Sequence, residues 1–280
     1  MSSEKNSPPW AARERAHALE HALSLPGSKS LTNRELVLSA IASGPSLLRR
    51  PLHSRDTELM VKALEALGAT ITSVAGDGEF GPDYQITPFI AGSEVRATID
   101  CGLAGTVMRF VPPLSLIRHG TIAFDGDSAA RRRPMATTLD ALSQLGVEVD
   151  VDVGKTLPFS LQGSGVAPGG DITIDASASS QFISGLLLVA ALLPQGLTIR
   201  HSGKSLPSLP HIEMTMETLR QRGVAVSSPG VGVWRVEPGH IGPRDVIIEP
   251  DLSNAAPFLA APLITGGQVS ITGWPISTTQ

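Results

Sequence analysis

Residues 181–200 read QFISGLLLVAALLPQGLTIR, a nearly all-apolar helix pattern that ends before Gly196 and is followed by a short apolar strand. The same order of helix pattern, glycine and strand occurs around Gly44, Gly120 and Gly267. Successive glycines in this series lie 76, 76 and 71 residues apart. A near-constant spacing of this length is typical of a structural repeat, in which a unit buries its apolar face only against its neighbours.

A second series of glycines supports the same period. Gly68, Gly146 and Gly223 each end a second helix pattern and precede another apolar strand, and they lie 78 and 77 residues apart. Each unit therefore reads as strand, helix, strand, helix and two further strands. We expect an α/β fold in which three complete βαβαββ units, over residues 29–248, pack around a shared helical core.

The C-terminal part of the sequence starts a fourth unit. Its helix pattern covers residues 255–263 and its strand pattern covers residues 268–272, but the sequence stops before a second helix. We therefore expect a C-terminally truncated chain with three parts. Residues 1–28 form an N-terminal tail and a strand that leads into the first domain, residues 29–248 form that domain, and residues 249–280 begin a second, incomplete domain.

The composition is that of a globular protein. Of the 280 residues, 41% are hydrophobic and 17% are charged. The 22 basic and 26 acidic residues give a net charge of −4, which argues against a general nucleic-acid-binding protein. The longest apolar run, residues 182–193, is too short to span a bilayer, and residues 1–20 lack the apolar core of a signal peptide. The single cysteine, Cys101, excludes an internal disulfide and a multi-cysteine zinc site. We expect a cytoplasmic protein.

The segment Pro-Gly-Ser-Lys-Ser at residues 26–30 directly precedes a helix pattern over residues 31–42. Ser30 is expected to cap this helix, and Arg34 follows one turn later. Backbone N–H groups at a helix N-terminus, together with Lys29 and Arg34, can bind an anion. An ordinary capped helix with solvated basic residues explains this single segment equally well.

The next two units carry similar segments before their first helices. Ala-Gly-Thr at residues 104–106 and Ser-Ala-Ser-Ser-Gln at residues 177–181 occupy the equivalent place, and Thr32, Thr106 and Gln181 lie 74 and 75 residues apart. Three equivalent helix N-termini are therefore expected at one end of the domain, where Ser, Thr and Gln donors favour anion binding. The loops before the second helices add the cationic run 131–133 and two residues, Asp56 and His211, that serve either as caps or as ligands.

These residues resemble the 5-enolpyruvylshikimate-3-phosphate synthase (3-phosphoshikimate 1-carboxyvinyltransferase) family. The matching stretches span most of residues 23–275 in order: LPGSKSLTNRELVL, DCGLAGTVMRFVPPL, FDGD followed by RRRPM, DASASSQFISGLLL and LPSLPHIEMT. The resemblance implies an inside-out α/β barrel of two domains with three βαβαββ units each. It also implies transfer of the enolpyruvyl group from phosphoenolpyruvate to the 5-hydroxyl of shikimate 3-phosphate, with release of phosphate.

The same resemblance implies that no cofactor and no metal takes part, that neither nucleic acid nor membrane is a partner, and that the full-length protein is a monomer. We expect this chain alone to be inactive, because the later carboxylates and cations of the family are missing from it. Leu103 departs from the asparagine that is common at its position in the family.

The resemblance also implies residue roles, carried over position by position. Lys29 is expected to take part in catalysis and to contact both substrates. The expected shikimate 3-phosphate ligands are Lys29, Ser30, Arg34, Ser179, Ser180, Gln181 and Ser208. The expected phosphoenolpyruvate ligands are Lys29, Gly105, Arg133 and Gln181.

Two alternative functions stay open. A non-catalytic, anion-binding half-protein would keep Lys29, Arg34 and Ser180 without needing catalytic carboxylates. An enolpyruvyl transferase acting on UDP-N-acetylglucosamine would share the fold, but that family relies on a loop cysteine. Cys101 stands beside Gly102 at the predicted end of a strand, which is the wrong place for such a residue.

Overall fold

The computed structural model describes residues 17–280. The strands are β1 (Leu19–Leu23), β2 (Ser46–Arg49), β3 (Thr70–Val74), β4 (Asp83–Thr87), β5 (Glu94–Asp100), β6 (Ile117–Asp125), β7 (Glu148–Val151), β8 (Phe159–Val166), β9 (Gly170–Ile174), β10 (Leu197–His201), β11 (Val226–Gly230), β12 (Val233–Val236), β13 (Asp245–Ile247) and β14 (Gly267–Ile271). The α-helices are α1 (Lys29–Ala40), α2 (Arg55–Ala66), α3 (Gly105–Phe110), α4 (Ala136–Gln144), α5 (Gln181–Ala190), α6 (Leu209–Arg220) and α7 (Ala256–Thr265). None of the helices within residues 17–280 is both long and apolar enough to cross a bilayer.

Three four-stranded sheets have the same internal order. They run β13-β2-β4-β3, β5-β6-β8-β7 and β9-β10-β12-β11. In each sheet the first two strands are parallel and the other neighbours are antiparallel. This is the arrangement that the predicted βαβαββ unit requires, and it occurs three times at the predicted spacing. The division of the chain into domains stays a prediction.

The first unit differs from the prediction in the origin of its first strand. That strand is β13, which follows the third unit in sequence and pairs in parallel with β2. The segment before α1 cannot fill this place, because β1 pairs in parallel with β14 instead. The N-terminal strand therefore joins the segment predicted to begin the second domain, while residues 1–16 of the predicted tail lie outside the described residues.

The first helices of the three units are buried on almost all sides. Ten of the twelve residues of α1 and nine of the ten residues of α5 are buried. The apolar sequence of α5 suits this position, and one continuous hydrophobic cluster joins α1, α3 and α5 to the surrounding sheets. The second helices α2, α4 and α6 each keep an exposed polar face. The three units thus surround a shared helical core.

Helix α1 begins two residues earlier than predicted. Ser28, and not Ser30, is the residue before the first helical turn, and its side chain makes no capping hydrogen bond. The backbone N–H of Lys29 donates to Asp251 Oδ2 at 3.3 Å, so a distant carboxylate satisfies this helix end. Gly27 precedes the turn, where a Cβ atom would collide with the backbone oxygen of Arg50. The tight approach of two chain segments therefore sets the start of α1.

The C-terminal segment forms the predicted helix and strand within two residues of the expected bounds. Asp251 accepts a hydrogen bond from the backbone N–H of Asn254 and so caps a short 3₁₀ turn, which leads into α7. No residue of α7 is buried, and Leu263 and Ile264 are 88% and 87% exposed. The apolar side chains of α7 therefore lack the burial that α1 and α5 have.

A buried ion pair connects α1 to the end of α6. Arg222 Nη2 lies 2.6 Å from Glu35 Oε2, and both side chains are almost fully buried. The Arg222 guanidinium also donates to Ser39 Oγ and to the backbone oxygen of Gly242, and Arg244 approaches Glu35 Oε1 at 3.5 Å. The charged residues on this buried helix are thus satisfied inside the protein.

Arg222→Met is expected to lower the free energy of unfolding by about 3 kcal/mol, because Glu35 keeps its buried charge and loses its closest partner. The double variant Glu35→Leu/Arg222→Met removes both charges and should recover most of this loss. Urea unfolding of the two variants and the wild type measures the difference. A double variant no more stable than Arg222→Met would contradict this account of the pair.

Candidate active site

The first residues of α1, α3 and α5 line one cavity. Lys29, Gly105 and Gln181 are the first helical residues, and they surround a space of about 410 Å³ together with Arg109 and Arg133. Each helix N-terminus carries partial positive charge and N–H groups without partners inside the helix. The structure thus brings together three helix ends that the sequence period predicts at one end of the fold.

Gly105 lies between the side chains of Arg133 and Gln181. A Cβ atom at Gly105 would lie 3.4 Å from Arg133 Nη1 and 3.5 Å from Gln181 Oε1. Arg133 Nη1 also donates to the backbone oxygen of Leu103 at 3.0 Å, which directs its guanidinium to this place. Glycine therefore leaves room for a ligand between a cationic and an amide side chain.

Arg109 is a second guanidinium at this cavity, and the sequence analysis missed it. It is buried, and it lies over the Phe182 ring at 5.8 Å. Burial, and secondarily the charge of Arg133, lower the pKa of Arg109 to about 10, so it still carries its charge at neutral pH. Its Nε atom has no hydrogen-bond partner among the described residues. Its position four residues after Gly105, one turn along the same helix, is the signal that could have identified it.

A second cavity of about 570 Å³ lies beside the first. Ser30, His211 and Asp251 are among its lining residues, whereas Lys29 and Asp56 line both cavities. Lys29 Nζ lies 3.5 Å from Asp56 Oδ2, and half of the lysine side chain is exposed. Lys29 therefore stands at the junction of the two spaces, with Asp56 as its internal counter-ion.

Arg34 lies beneath this second cavity and has no exposed face there. Its side chain is buried, and its guanidinium donates to Thr215 Oγ1 at 2.7 Å and to the backbone oxygens of Ser30 and His211 at 2.9 and 2.8 Å. Burial lowers the pKa of Arg34 to about 9. Burial, and then the charge of Arg34, lower the pKa of His211. Arg34 must exchange an internal partner to contact a ligand, so its ligand role stays a prediction.

Besides Ser30, three further predicted serine ligands have different surroundings. Ser179 lines the first cavity, and its Oγ accepts a hydrogen bond from the backbone N–H of Gln181. Ser180 is buried directly before α5. Ser208 is exposed directly before α6 and lines neither cavity. Ser208 also has a φ of 55°, a left-handed conformation that is strained for a residue with a Cβ atom.

Comparison with known proteins assigns this arrangement to a family. The family model described as EPSP synthase (3-phosphoshikimate 1-carboxyvinyltransferase) matches residues 14–280. The chain belongs to the EPSP synthase family. A relative from Kocuria rhizophila, named 3-phosphoshikimate 1-carboxyvinyltransferase, is 57% identical over 264 residues, which are 92% of this chain and 59% of the relative. The chain thus spans somewhat more than half the length of this EPSP synthase relative.

Solved EPSP synthase structures support the fold. Two structures titled as EPSP synthase from Acinetobacter baumannii superpose with a TM-score of 0.77 at 24% sequence identity. The match covers 93% of this chain and 57% of each solved chain. The α/β fold with its three equivalent sheets is therefore an EPSP synthase fold.

Cys101 gives no support to the alternative family that relies on a loop cysteine. Its side chain is fully buried just after β5. Burial, and secondarily the charge of Asp100, raise the pKa of the Cys101 thiol to about 12. A protonated, buried thiol does not act as a nucleophile or acid at neutral pH. In this member of the EPSP synthase family the cysteine is a core residue.

Ser208→Gly is expected to raise the free energy of unfolding by about 1 kcal/mol relative to Ser208→Ala, because only glycine adopts this φ without strain. The alanine variant is the matched control, since the Ser208 side chain makes no capping hydrogen bond to α6. Urea unfolding of both variants measures the difference. Equal stabilities would show that the backbone at this position carries no strain.

Proposed function

We propose that this chain supplies the binding face for shikimate 3-phosphate and phosphoenolpyruvate in an enolpyruvyl transferase. The proposal rests on one observation. In this member of the EPSP synthase family, α1, α3 and α5 meet at one cavity, which Lys29, Arg109 and Arg133 line. The proposal includes a cytoplasmic location and, for the full-length protein, a monomer.

The charge of the two substrates suits this face. A phosphate monoester carries about −1.5 to −2 at neutral pH, and each substrate adds a carboxylate, so roughly five or six negative charges enter the site together. Three cationic side chains and three helix N-termini offset much of this charge in a partly buried place, where electrostatic attraction is stronger than in water.

The two adjacent cavities suggest one substrate each. We assign phosphoenolpyruvate to the cavity lined by Gly105, Arg133 and Gln181, where two planar guanidinium groups can bind phosphate or carboxylate oxygens. We assign the ring of shikimate 3-phosphate to the cavity that Ser30 lines. Its phosphate is assigned to the border with the first cavity, where Ser179 lines the wall and Ser180 directly precedes α5. Lys29 then lies between the substrates, because it lines both cavities.

The reaction joins the two substrates at this junction. The 5-hydroxyl oxygen of shikimate 3-phosphate forms a bond to C2 of phosphoenolpyruvate, while a proton is added to C3 and the hydroxyl proton is taken up by a base. Phosphate then leaves C2 from the tetrahedral ketal as C3 loses a proton, which restores the C2–C3 double bond and forms the enol ether of the product. Lys29 is placed to act as one acid–base group, and its ion pair with Asp56 at 3.5 Å holds its ammonium at the junction.

Lys29→Ala is expected to weaken binding of shikimate 3-phosphate ten- to hundredfold, since a charge-assisted contact contributes about 1.5–3 kcal/mol. Isothermal titration of the chain with shikimate 3-phosphate measures the affinity. Lys62→Ala is the control, because it removes an exposed lysine from α2 without changing either cavity. Unchanged affinity in Lys29→Ala would refute the assignment. Binding of UDP-N-acetylglucosamine in place of shikimate 3-phosphate would favour the sister activity.

Gly105→Ala is expected to weaken phosphoenolpyruvate binding and to weaken binding of a bulkier phosphonate mimic such as glyphosate more strongly, because the methyl group takes up space between Arg133 and Gln181. Competition titrations give the ratio of the two affinities for each variant. Gly154→Ala is the control, since a Cβ atom there meets no heavy atom within 4 Å. A ratio identical to that of the wild type would remove Gly105 from the phosphoenolpyruvate subsite.

A further inference from the structure

His201 connects two loops that precede α5 and α6. It is the last residue of β10, and its ring lies between the loop at 175–180 and the loop at 202–208. His201 Nδ1 lies 3.1 Å from the backbone nitrogen of Ala176, and His201 Nε2 lies 3.1 Å from the backbone oxygen of Ser205. Both ring nitrogens are therefore bonded to main-chain groups, one on each loop.

The two partners determine the protonation of the ring. A backbone N–H can only donate, so Nδ1 of His201 accepts the bond from Ala176. A carbonyl oxygen can only accept, so Nε2 carries the proton and donates it to Ser205. The neutral imidazole with hydrogen on Nε2 is thus the form that makes both bonds at once.

Close packing of the same loops is a second, independent observation. A Cβ atom at Gly203 would collide with Ser177 Oγ, Asp175 Oδ1 and the ring of His201. Ser202 donates its backbone N–H to the oxygen of Ile174 at 3.0 Å. The loops therefore touch along several residues, and no side chain fits between them at Gly203.

We propose that His201 is a positioning residue, which holds the loop carrying Ser179 and Ser180 against the loop carrying Ser208 so that the three serines form one subsite for shikimate 3-phosphate. This inference rests on the function proposed above. The imidazole itself does not need to touch the substrate. It acts through Ala176 and Ser205, which lie a few residues before the serines in their loops.

The two bonds of the ring depend on Nδ1 remaining an acceptor. A proton on Nδ1 would place an N–H group against the N–H of Ala176 and break that bond. The Asp175 carboxylate, on the loop after β9, faces the ring and attracts the protonated form, while Lys204 lies on the following loop. Gly232, in the turn between β11 and β12, accepts the backbone N–H of His201. The neutral ring is therefore the form that joins the two loops.

Three variants test the inference. His201→Ala removes both bonds and should weaken binding of shikimate 3-phosphate roughly three- to tenfold and speed amide hydrogen exchange at Ala176 about tenfold. His201→Asn keeps an oxygen where Nδ1 stood and should restore slow exchange at Ala176 and part of the affinity. His240→Ala, which removes an exposed histidine before β13, should leave both quantities unchanged.

The outcomes distinguish the inference from the proposed function. If the wild type binds shikimate 3-phosphate and His201→Ala binds it with equal affinity, the positioning role is overturned and the proposed function stands. A wild-type chain that does not bind shikimate 3-phosphate overturns the proposed function and the subsite with it. Unchanged exchange at Ala176 in His201→Ala overturns the connection between the loops, whatever the affinity.

Discussion

Burial of α1, α3 and α5 among the three sheets is the constraint on which the rest of the structure depends. A helix enclosed on all sides can keep polar groups only where they find partners inside the protein or at its ends. The sides of α5 meet this condition almost entirely with apolar residues, whereas α3 keeps the buried Arg109, whose Nε has no partner among the described residues. The N-terminal ends of all three helices remain polar, and because the units are equivalent these ends open at one place. The fold thus creates the candidate site through its repeat.

Helix α1 meets the same constraint differently, because two of its buried residues are charged. Arg34 is bonded to groups on α6, and Glu35 is bonded to Arg222 just after α6. The two side chains leave α1 in different directions, yet both lead to the same neighbouring helix. Charged hydrogen bonds therefore fix the register of α1 against α6 at two points. The same register fixes the positions of Lys29 at the start of α1 and of His211 near the start of α6.

The sequence period predicts the repeated unit well, because local patterns such as the helix before Gly196 and the strand after it recur at constant spacing. The partners of the terminal strands could not be predicted in this way. Both β1 and β13 are short, and their pairing with β14 and β2 joins residues about 200 or more positions apart, which no local pattern encodes. The position of the start of α1 was predicted wrongly for the same reason. Ser28 and Ser30 are equally good caps by residue type, and a carboxylate at Asp251 decides between them.

The candidate site shows the same division between local and long-range information. The three helix ends were predictable because Thr32, Thr106 and Gln181 recur at near-constant spacing, and the family resemblance implied the roles of Lys29 and Gly105. Arg109 was not predicted, since a buried arginine whose Nε has no partner among the described residues breaks the usual rule for charged residues. Burial, and then the charge of Arg133, lower the pKa of Arg109, so the charge of Arg109 costs stability in the folded protein. A bound dianion would offset both their repulsion and their loss of hydration. The unfavourable arrangement of Arg109 and Arg133 in the folded chain is therefore the physical basis of the anion binding that we propose, since binding would remove a repulsion that folding alone leaves in place.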